Sequence, residues 1–340
     1  MAHVSRKTLL LALIAFVFLL SVFMSLGLGI FLISPADQAG KEEIFVVSEG
    51  STLREVAGDL DKKGLVKSKT LFVLWSRIMG YSKRIKSGEY ILSAAMPPVK
   101  ILEKLRRGVL LTHIITIPEG YTSEQIADLL HEKGLVDRNL FLSLAEEPSI
   151  LKNCGVSGPS LEGYLFPDTY QFARGISPSL IIDTMVKRFW QMVGPFTERA
   201  RETGMSMSEI VTLASIVEKE TGRPEERPLI ASVFLNRLKR GMRLESDPTV
   251  IYGLERFDGN LRKKDLARES PYNTYVIRGL TPGPICNPGL EAIKAVIFPA
   301  ETDYLYFVSR NDGSHQFSRT LSEHNRAVER YQKGKGKKTS

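Results

Sequence analysis

The sequence is poor in cysteine and histidine, and this narrows the chemistry that the protein can carry out. Among its 340 residues are two cysteines, Cys154 and Cys286, and five histidines. Two cysteines are too few for a disulfide framework or a structural zinc site, but they leave open one disulfide in an oxidising compartment or two unpaired core thiols. No histidine stands at metal-ligand spacing from another ligand. We therefore expect neither a metal nor a cofactor.

Several common catalytic and binding motifs are also missing. The chain has no Gly-x-Ser-x-Gly elbow, no His-Glu-x-x-His zinc motif and no Gly-x-x-x-x-Gly-Lys-Ser/Thr phosphate loop. Its net charge of +8 suits nucleic acid, an anionic membrane or an acidic polymer, but no zinc-finger spacing or RNA-binding aromatic motif accompanies the charge. We therefore expect no nucleic-acid partner, and carboxylate chemistry remains.

One long hydrophobic run lies near the N-terminus. Residues 9–33 contain no charged side chain, and about 20 apolar residues suffice to span a bilayer. The run is too long for a cleavable signal, whose apolar region has roughly 7–15 residues. Arg6 and Lys7 precede it, so residues 1–8 are predicted to be cytoplasmic and most of the later chain to lie outside. The basic tail, residues 333–340, is predicted to be disordered, with an anionic-lipid contact as the alternative.

An internal repeat follows the hydrophobic run. Residues 49–66 and 119–136 align without a gap, and Glu-Gly opens both copies while Lys-Gly-Leu-Val closes them. Each copy has a preceding β-rich run, at 44–47 and 114–117, and a Thr-x-x-Glu/Gln capping box that starts an amphipathic helix. Second helices are predicted at 69–79 and 138–146, and a returning strand at 88–92 completes the first copy. The predicted order of elements in the first copy is therefore strand, helix, helix, strand.

This βααβ order resembles a LysM module, a small fold that grips glycans containing N-acetylglucosamine. The resemblance is good for the first copy and weaker for the second, because residues 161–170 lead into the next domain. It implies a sugar-binding repeat region over 44–150. The alternative is a spacer or docking surface, since a fold does not determine a function.

A mixed domain is predicted beyond a linker at 148–160. This domain is predicted to cover 155–332. The predicted fold class of the whole chain is α+β, with a transmembrane helix, LysM-like βααβ modules and a mixed α+β catalytic domain. A Gly/Pro/Asn/Asp-rich stretch, 245–288, has the length of a functional loop. The predicted helices lie near 177–192, 207–220, 225–240, 289–297 and 321–332, and the strands near 304–308 and 315–317.

The most informative segment for chemistry ends in Glu218. Residues 210–217 are apolar almost all round, which is typical of a buried helix, and Glu218 follows in its last turn. Apolar surroundings and the negative end of the helix dipole both disfavour a charged carboxylate and raise its pKa, as a general acid requires. The alternative is a solvated surface glutamate.

The segments around Glu218 identify a family. Residues 213–221, 231–238 and 242–253 resemble the endolytic murein transglycosylases (YceG-like proteins), as do 161–170, 272–275, 279–285 and 304–308. The resemblance runs from the hydrophobic run to about residue 331. It implies that Glu218 protonates the oxygen between N-acetylmuramic acid and N-acetylglucosamine, then takes the proton of the muramic 6-hydroxyl, which attacks the anomeric carbon. A 1,6-anhydro end results, and glycan elongation would terminate there.

The resemblance also suggests sugar ligands and a location. Candidate substrate-binding residues are Asn236, Asp247, Thr249, Tyr252, Asn273, Tyr275 and Glu162. Turn and loop structure is the alternative for the first six, and Glu162 is alternatively a second acid or the buried partner of an arginine. The expected location is the inner membrane, with the catalytic domain in the periplasm, peptidoglycan strands as substrate, and penicillin-binding proteins as partners. Two rival functions remain: a two-carboxylate hydrolase, and a tethered glycan-binding scaffold without catalysis.

Overall fold

The computed structural model describes residues 6–48, 50–81, 85–108 and 111–333. Most of the predicted tail, and the first five residues of the predicted cytoplasmic segment, lie outside these ranges. The chain divides into two compact units. Unit 1 comprises residues 1–113 and 171–176, and unit 2 comprises residues 114–170 and 177–340.

Unit 1 begins with a long apolar helix. Helix α1, Arg6–Ile33, has 28 residues and is exposed along most of its length. At about 1.5 Å per residue it is roughly 42 Å long, more than the hydrocarbon thickness of a bilayer. Within the described ranges, α1 is the one helix long and apolar enough to cross a membrane. At its end, Phe31 and Leu32 are buried in the core of unit 1.

The first repeat copy forms the predicted strand–helix–helix–strand unit. Strand β1 (Glu42–Val47) pairs antiparallel with the later strand β2 (Gly88–Ser93) and places Glu42 opposite Ser93. Between them lie α2 (Leu53–Lys62) and α3 (Lys69–Ile78), and the Thr52 capping box with Glu55 begins α2 as predicted. An unpredicted helix, α4 (Pro98–Arg107), follows and buries Ile101, Leu102 and Leu105.

The second repeat copy lies largely in unit 2. Strand β3 (Thr112–Thr116) precedes α5 (Ser123–Glu132) and α6 (Arg138–Ala145). The Thr122 capping box with Gln125 begins α5. A short helix, α7 (Pro148–Asn153), and strand β4 (Thr169–Ala173) come next, and β4 pairs with β3. The second copy therefore also has a returning strand.

Helices build the rest of unit 2. Helix α8 (Pro178–Val193) packs against α6, and the long buried helix α10 (Met207–Glu220) packs against α11 (Arg227–Lys239) and α14 (Leu290–Ile297). The antiparallel pair β5 (Tyr306–Ser309) and β6 (His315–Ser318) contacts α15 (Leu321–Val328). The remaining short helices are α9 (Thr197–Glu202), α12 (Asp247–Tyr252) and α13 (Lys263–Leu266).

The structure departs from the sequence-based predictions in two places. The predicted linker begins with helix α7, because Pro148 occupies the first turn, where it needs no hydrogen-bonded N–H, and Leu151 is buried. The units also divide the chain near residue 113 rather than near 150, since the second copy packs with the later helices. Cys154 and Cys286 are both free, and Cys286 is buried with its Sγ 3.3 Å from the Ser215 carbonyl oxygen.

Candidate active site

Glu218 lies in the last turn of α10, as the sequence predicts. The Ser206 capping box with Glu209 begins this helix, and its residues from Ile210 to Val217 are all buried. An apolar helix of this kind carries its terminal residue into the interior. The side chain of Glu218 is only 6% exposed.

Two donors from other helices hold the Glu218 carboxylate. Arg227, the first residue of α11, places Nη2 2.8 Å from Oε1, and the Gly289 N–H, at the start of α14, donates to Oε2 over 2.9 Å. Burial raises the pKa of Glu218 above its ordinary value, while the Gly289 N–H and the Arg227 charge act in the opposite direction. Burial therefore favours the protonated carboxyl, and the two donors stabilise its anion.

A second carboxylate, Glu119, stands beside the first. The same Arg227 Nη2 lies 3.3 Å from Glu119 Oε2, and the nearby negative charge further raises the pKa of Glu218. Glu119 packs against the Cα of Gly289: a Cβ placed at position 289 would come within 2.0 Å of Glu119 Oε1. A side chain at 289 would therefore displace the Glu119 carboxylate from its place beside Arg227.

Arg227 is the buried link between the two carboxylates. Its side chain is 9% exposed, and its Nε has no hydrogen-bond partner within the described part of the chain. A buried guanidinium is stable only when negative charge faces it, and here Glu218 and Glu119 both do so. The three residues form one electrostatic unit.

Glu162 is the centre of a separate hydrogen-bond network. Its carboxylate accepts bonds from the Ser123 N–H at 3.0 and 3.1 Å, from Asn287 Nδ2 at 2.8 Å and from Tyr252 Oη at 3.4 Å. Burial raises the pKa of Glu162 to about 7, although the Ser123 N–H and the other donors oppose the shift. The bonded partners found for Glu162 in the described ranges include no arginine, which disfavours the arginine-partner interpretation.

The segment 285–289 connects both carboxylates to α10. The Ile285 N–H donates to Ser215 Oγ, the buried Asn287 bonds Glu162, and Gly289 bonds Glu218. The Asn287 carbonyl oxygen accepts the Gly120 N–H at 2.9 Å. The second repeat copy is thereby attached, through the turn at Gly120, to the segment that bonds Glu218.

The other predicted sugar ligands divide into two groups. Tyr252 lies beside Glu162 with its ring 4.9 Å from that of Tyr272, and Tyr275 donates its hydroxyl to Asp247 over 2.6 Å. In contrast, the remaining three donate hydrogen bonds to backbone carbonyls. Asn236 donates to the carbonyls of residues 302 and 304, Asn273 to those of 265, 266 and 268, and Thr249 to that of 246. These bonds favour the turn and loop interpretation for Asn236, Asn273 and Thr249.

Sequence reasoning missed the groups that surround Glu218. Glu119 carries a weak signal, since the Glu-Gly pair is repeated, but a turn accounts for that pair equally well. Arg227, Asn287 and Gly289 carry no periodic or motif signal. Glu220 is bonded elsewhere: it accepts a hydrogen bond from Ser246 Oγ, and burial raises its pKa to about 7.

The arrangement is suited to acid–base catalysis by one carboxyl group. Glu218 holds a proton more readily than a solvated glutamate, and donors stand ready to stabilise its anion after the proton leaves. Within the described residues, no group of three or more His, Cys, Asp or Glu side chains is placed to hold a metal ion. The Tyr252 and Glu162 side chains line a nearby cavity of about 590 Å³, within the usual range for ligand sites.

Comparison with known proteins gives a consistent family. The model of the YceG-like family matches residues 45–330. The endolytic murein transglycosylase of Bacillus subtilis (strain 168) is 33% identical over 324 residues, which cover 90% of each chain. That of Streptococcus pneumoniae serotype 2 (strain D39) is 32% identical over 329 residues, covering 86% of this chain and 59% of its own. A crystal structure of a YceG-like protein from Listeria monocytogenes superposes with a TM-score of 0.58 at 34% identity, covering 85% of this chain and 100% of that one. The chain therefore belongs to the YceG-like family.

Proposed function

We propose that this chain is an endolytic murein transglycosylase that cleaves peptidoglycan strands internally, with Glu218 as both acid and base. The observation that carries the proposal is the environment of Glu218: a nearly buried carboxyl with a raised pKa, held by Arg227 and the Gly289 N–H. The name of the curated relatives supports the substrate class.

The reaction has two proton transfers and no net change at the enzyme. Protonated Glu218 gives its proton to the oxygen that bridges N-acetylmuramic acid and N-acetylglucosamine, and the bond from the anomeric carbon to that oxygen breaks. The Glu218 carboxylate then takes the proton of the muramic 6-hydroxyl, whose oxygen bonds the same anomeric carbon. A 1,6-anhydro end forms, no water is consumed, and the carboxyl is again protonated.

Arg227 and Glu119 adjust this cycle in opposite directions. Arg227 stabilises the anion that exists between the two transfers, whereas the Glu119 charge favours the protonated state in which the cycle begins and ends. Since Glu119 also contacts Arg227, it weakens the hold of the guanidinium on Glu218. Glu119 is a positioning residue that keeps the pKa of Glu218 high enough for the carboxyl to hold its proton, while Arg227 keeps that pKa low enough for the proton to be released.

A two-carboxylate hydrolase is the second candidate. A hydrolase needs a second carboxylate as nucleophile or base, roughly 5–9.5 Å from the acid. Glu119 fits this role better than Glu162, because Glu119 contacts the same guanidinium nitrogen as Glu218 and is half-exposed. Glu162 is buried and committed to Ser123, Asn287 and Tyr252.

Product analysis of the Glu218→Gln variant separates these functions. The wild type is expected to release fragments with anhydro ends, and Glu218→Gln to lose at least 1,000-fold of this activity because no proton can be transferred. Mass spectrometry of digested glycan strands gives the ends directly. Glu198→Gln, at an exposed glutamate of α9, is the matched control. Reducing ends would indicate hydrolysis, and unimpaired function of Glu218→Gln would favour the non-catalytic scaffold.

Contacts with the sugars are proposed for Tyr252, which lines the cavity, and for the Asp247–Tyr275 pair. Tyr252 offers an aromatic face and a hydroxyl, and the Asp247–Tyr275 pair offers polar atoms at the start of α12. Asn236, Thr249, Asn273 and Glu162 would then act by shaping the loops that carry these groups.

We propose inner-membrane attachment through α1, with the cytoplasm on the side of Arg6 and Lys7 and both folded units in the periplasm. The length and composition of α1 support a span. Protease accessibility of the folded region in spheroplasts tests the orientation. Digestion from the periplasmic side is expected, and protection of the whole folded region would reverse the topology.

The βααβ region of unit 1 is proposed to be LysM-like and to bind N-acetylglucosamine-containing strands. The antiparallel β1–β2 pair with two intervening helices supports this order of elements. Binding of chitin oligomers to the full-length chain in detergent, with Glu218→Gln to prevent cleavage, measures it. Absence of binding at millimolar sugar would leave this region a spacer.

Anchoring near the membrane places the site beside newly made strands, so we propose that cleavage terminates glycan elongation next to penicillin-binding proteins. Longer glycan strands are expected in cells that carry Glu218→Gln. Co-purification from crosslinked membranes is expected to enrich penicillin-binding proteins relative to another single-span protein, and equal recovery would contradict the partnership.

A further inference from the structure

The end of α1 is built into unit 1. Three apolar side chains from its last two turns pack against or into the core of that unit: Leu28, Phe31 and Leu32. Beyond the helix, the Asp37 N–H donates to the Ala94 carbonyl oxygen over 3.0 Å. A Cβ added at Gly40 would come within 2.6 Å of Ala94 Cβ, so these two segments touch. Unit 1 is therefore fixed to the end of α1 and cannot swing away from it.

This attachment determines which helices of unit 1 lie near the bilayer. The apolar span Leu13–Ile33 has 21 residues and is about 31 Å long, close to the hydrocarbon thickness of a bilayer. Leu28 lies in the last two turns of this span. Helices α3 and α4 both contact α1. When α1 spans a membrane, α3 and α4 therefore lie at the level of the lipid headgroups.

The two helices that contact α1 are strongly basic. Together α3 and α4 contain six basic residues and one acidic residue, Glu103. In contrast, α2 contains two basic and three acidic residues. Helices α5 and α6 of the second copy together contain one arginine and three acidic residues. The positive charge is therefore concentrated on the helices beside α1 and is not a property of the repeat.

One face of α3 presents cations and apolar side chains together. Its residues form two neighbouring rows spaced by four positions along the helix: Lys69, Val73 and Arg77, and Thr70, Leu74 and Ile78. Leu74 is 41% exposed and Ile78 is 61% exposed. A helix with such a face binds at the bilayer surface, where its apolar side chains enter the boundary between headgroups and acyl chains.

A cavity of about 430 Å³ lies along this face, next to the start of α2. Three cations and no acidic residue are among its lining side chains, which are Arg54, Lys69, Thr70, Val73, Leu74 and Arg77. Elsewhere in unit 1, Lys62 pairs with Asp59 and Arg107 pairs with Glu103. The three cavity cations have no ion-pair partner among the residues that the structure describes. The cavity therefore favours an anion, and phosphate oxygens are strong acceptors for Arg and Lys.

We propose that the α3 surface, defined by Arg54, Lys69, Leu74, Arg77 and Ile78, docks on anionic phospholipids of the membrane that α1 spans. The lipid phosphate would meet the three cations, and the acyl boundary would accept Leu74 and Ile78. Unit 1 is thereby held against the bilayer at a second point besides α1. The inference rests on the proposed membrane attachment.

The test measures how well a label on the α3 surface is shielded by lipid. A fluorophore is attached at position 78 of the full-length variant Cys154→Ser/Ile78→Cys, in which the remaining Cys286 is buried. The chain is placed in nanodiscs of phosphatidylcholine alone or of an equal mixture with phosphatidylglycerol. Quenching by acrylamide is expected to be about threefold or more weaker in the anionic bilayer, because two cations shift the docking equilibrium roughly 30-fold. About 1 M NaCl should abolish the difference by screening.

Charge variants locate the effect on the α3 surface. Lys69→Gln/Arg77→Gln removes two exposed cations and is expected to restore quenching to its level in phosphatidylcholine. The matched control is Lys62→Gln/Lys63→Gln, which removes two exposed lysines at the end of α2 and should retain the shielding. Melting temperatures equal to that of the parent confirm that both variants are folded.

The outcomes separate lipid docking from the membrane attachment on which it rests. Equal quenching in the two bilayers would overturn the docking, while resistance of the chain to alkaline extraction from vesicles would keep α1 as a span. Shielding that is as strong in uncharged detergent would indicate a second copy of this chain on the α3 surface and would also overturn lipid docking, as would shielding that persists in Lys69→Gln/Arg77→Gln. If alkaline extraction removes the chain, the span fails. Flotation with anionic but not neutral vesicles, lost in Lys69→Gln/Arg77→Gln, would then still support docking, and equal flotation would overturn it.

Discussion

The two repeat copies share a sequence pattern but have different surroundings. In both, a threonine capping box begins a helix and a glycine ends it, at Thr52 and Gly64 in the first copy and at Thr122 and Gly134 in the second. The first helix, α2, buries its apolar face in the core of unit 1. The second, α5, uses its N-terminus to hold a carboxylate of the candidate active site.

The difference arises at the Glu-Gly turn. In the second copy, Glu119 contacts Arg227, and the Ser123 N–H donates to Glu162. A Cβ added at Gly120 would lie 3.6 Å from Glu218 Cγ, so the turn packs against the Glu218 side chain. The Glu119-Gly120 turn of the second copy therefore lies against the candidate active site. A repeated motif can thus keep its local structure while the polar groups around its turn bind different partners.

The largest expected effect comes from removing the link between the second copy and the acid. Arg227→Met should lower the free energy of unfolding by about 3 kcal/mol, because it leaves two carboxylates facing each other without their shared cation. Turnover should also fall. Thermal denaturation of the full-length chain measures the stability change. Arg240→Met, at an exposed arginine after α11, is the control, and an equal shift in both variants would contradict the assigned role.

A smaller effect is expected from Glu119 itself. Its charge raises the pKa of Glu218, and the general acid must be protonated, so the rate falls as the pH rises through that pKa. Glu119→Gln lowers the pKa, and the alkaline fall should therefore begin at lower pH, with about tenfold lower activity at alkaline pH for each unit of displacement. The pH profile of kcat/KM is the measurement. A displacement to higher pH would contradict the role of Glu119.

Gly289→Ala tests the same contact by another route. The added methyl overlaps Glu119 Oε1, which is the end of a flexible side chain and can move away from Arg227. The alkaline fall should again begin at lower pH, while the melting temperature changes little. In a double-mutant cycle with Glu119→Gln the two effects should not add, because both remove one interaction. Additive effects would show that Gly289 acts independently.

The smallest effect sharpens the comparison of the copies directly. Thr52→Ala and Thr122→Ala each remove a cap and should each cost about 1 kcal/mol of stability. Only Thr122→Ala should also alter the kinetics, since α5 positions Glu162 and lines the cavity. Cleavage of short strands, measured beside thermal denaturation, separates the two. Equal kinetic effects would mean that the copies contribute alike.

Much of the fold could be predicted because local signals were strong. The apolar pattern of 210–217 predicted α10 at its observed bounds, 207–220, with Glu218 in its last turn. Helix α4 was not predicted, although Pro98 in its first turn and Gly108 after its end are ordinary boundary residues, since the segment was short and lay outside the repeat. Helix α7 was missed within the predicted linker for a related reason, because proline and glycine residues occur at helix boundaries as well as in loops.

The sequence by itself determined the long apolar helix near the N-terminus, the repeat, and a carboxyl at the end of a buried helix, because each depends on neighbours within a few turns of the chain. Only the tertiary structure decided what acts on that carboxyl. Arg227, Glu119 and Gly289 come from three separate segments, and their effect on the pKa of Glu218 depends on distances of 2.8–3.3 Å that no local pattern encodes. The burial that favours the protonated form of Glu218 could be predicted from the sequence. The charges that raise and lower its pKa come together only in the folded chain.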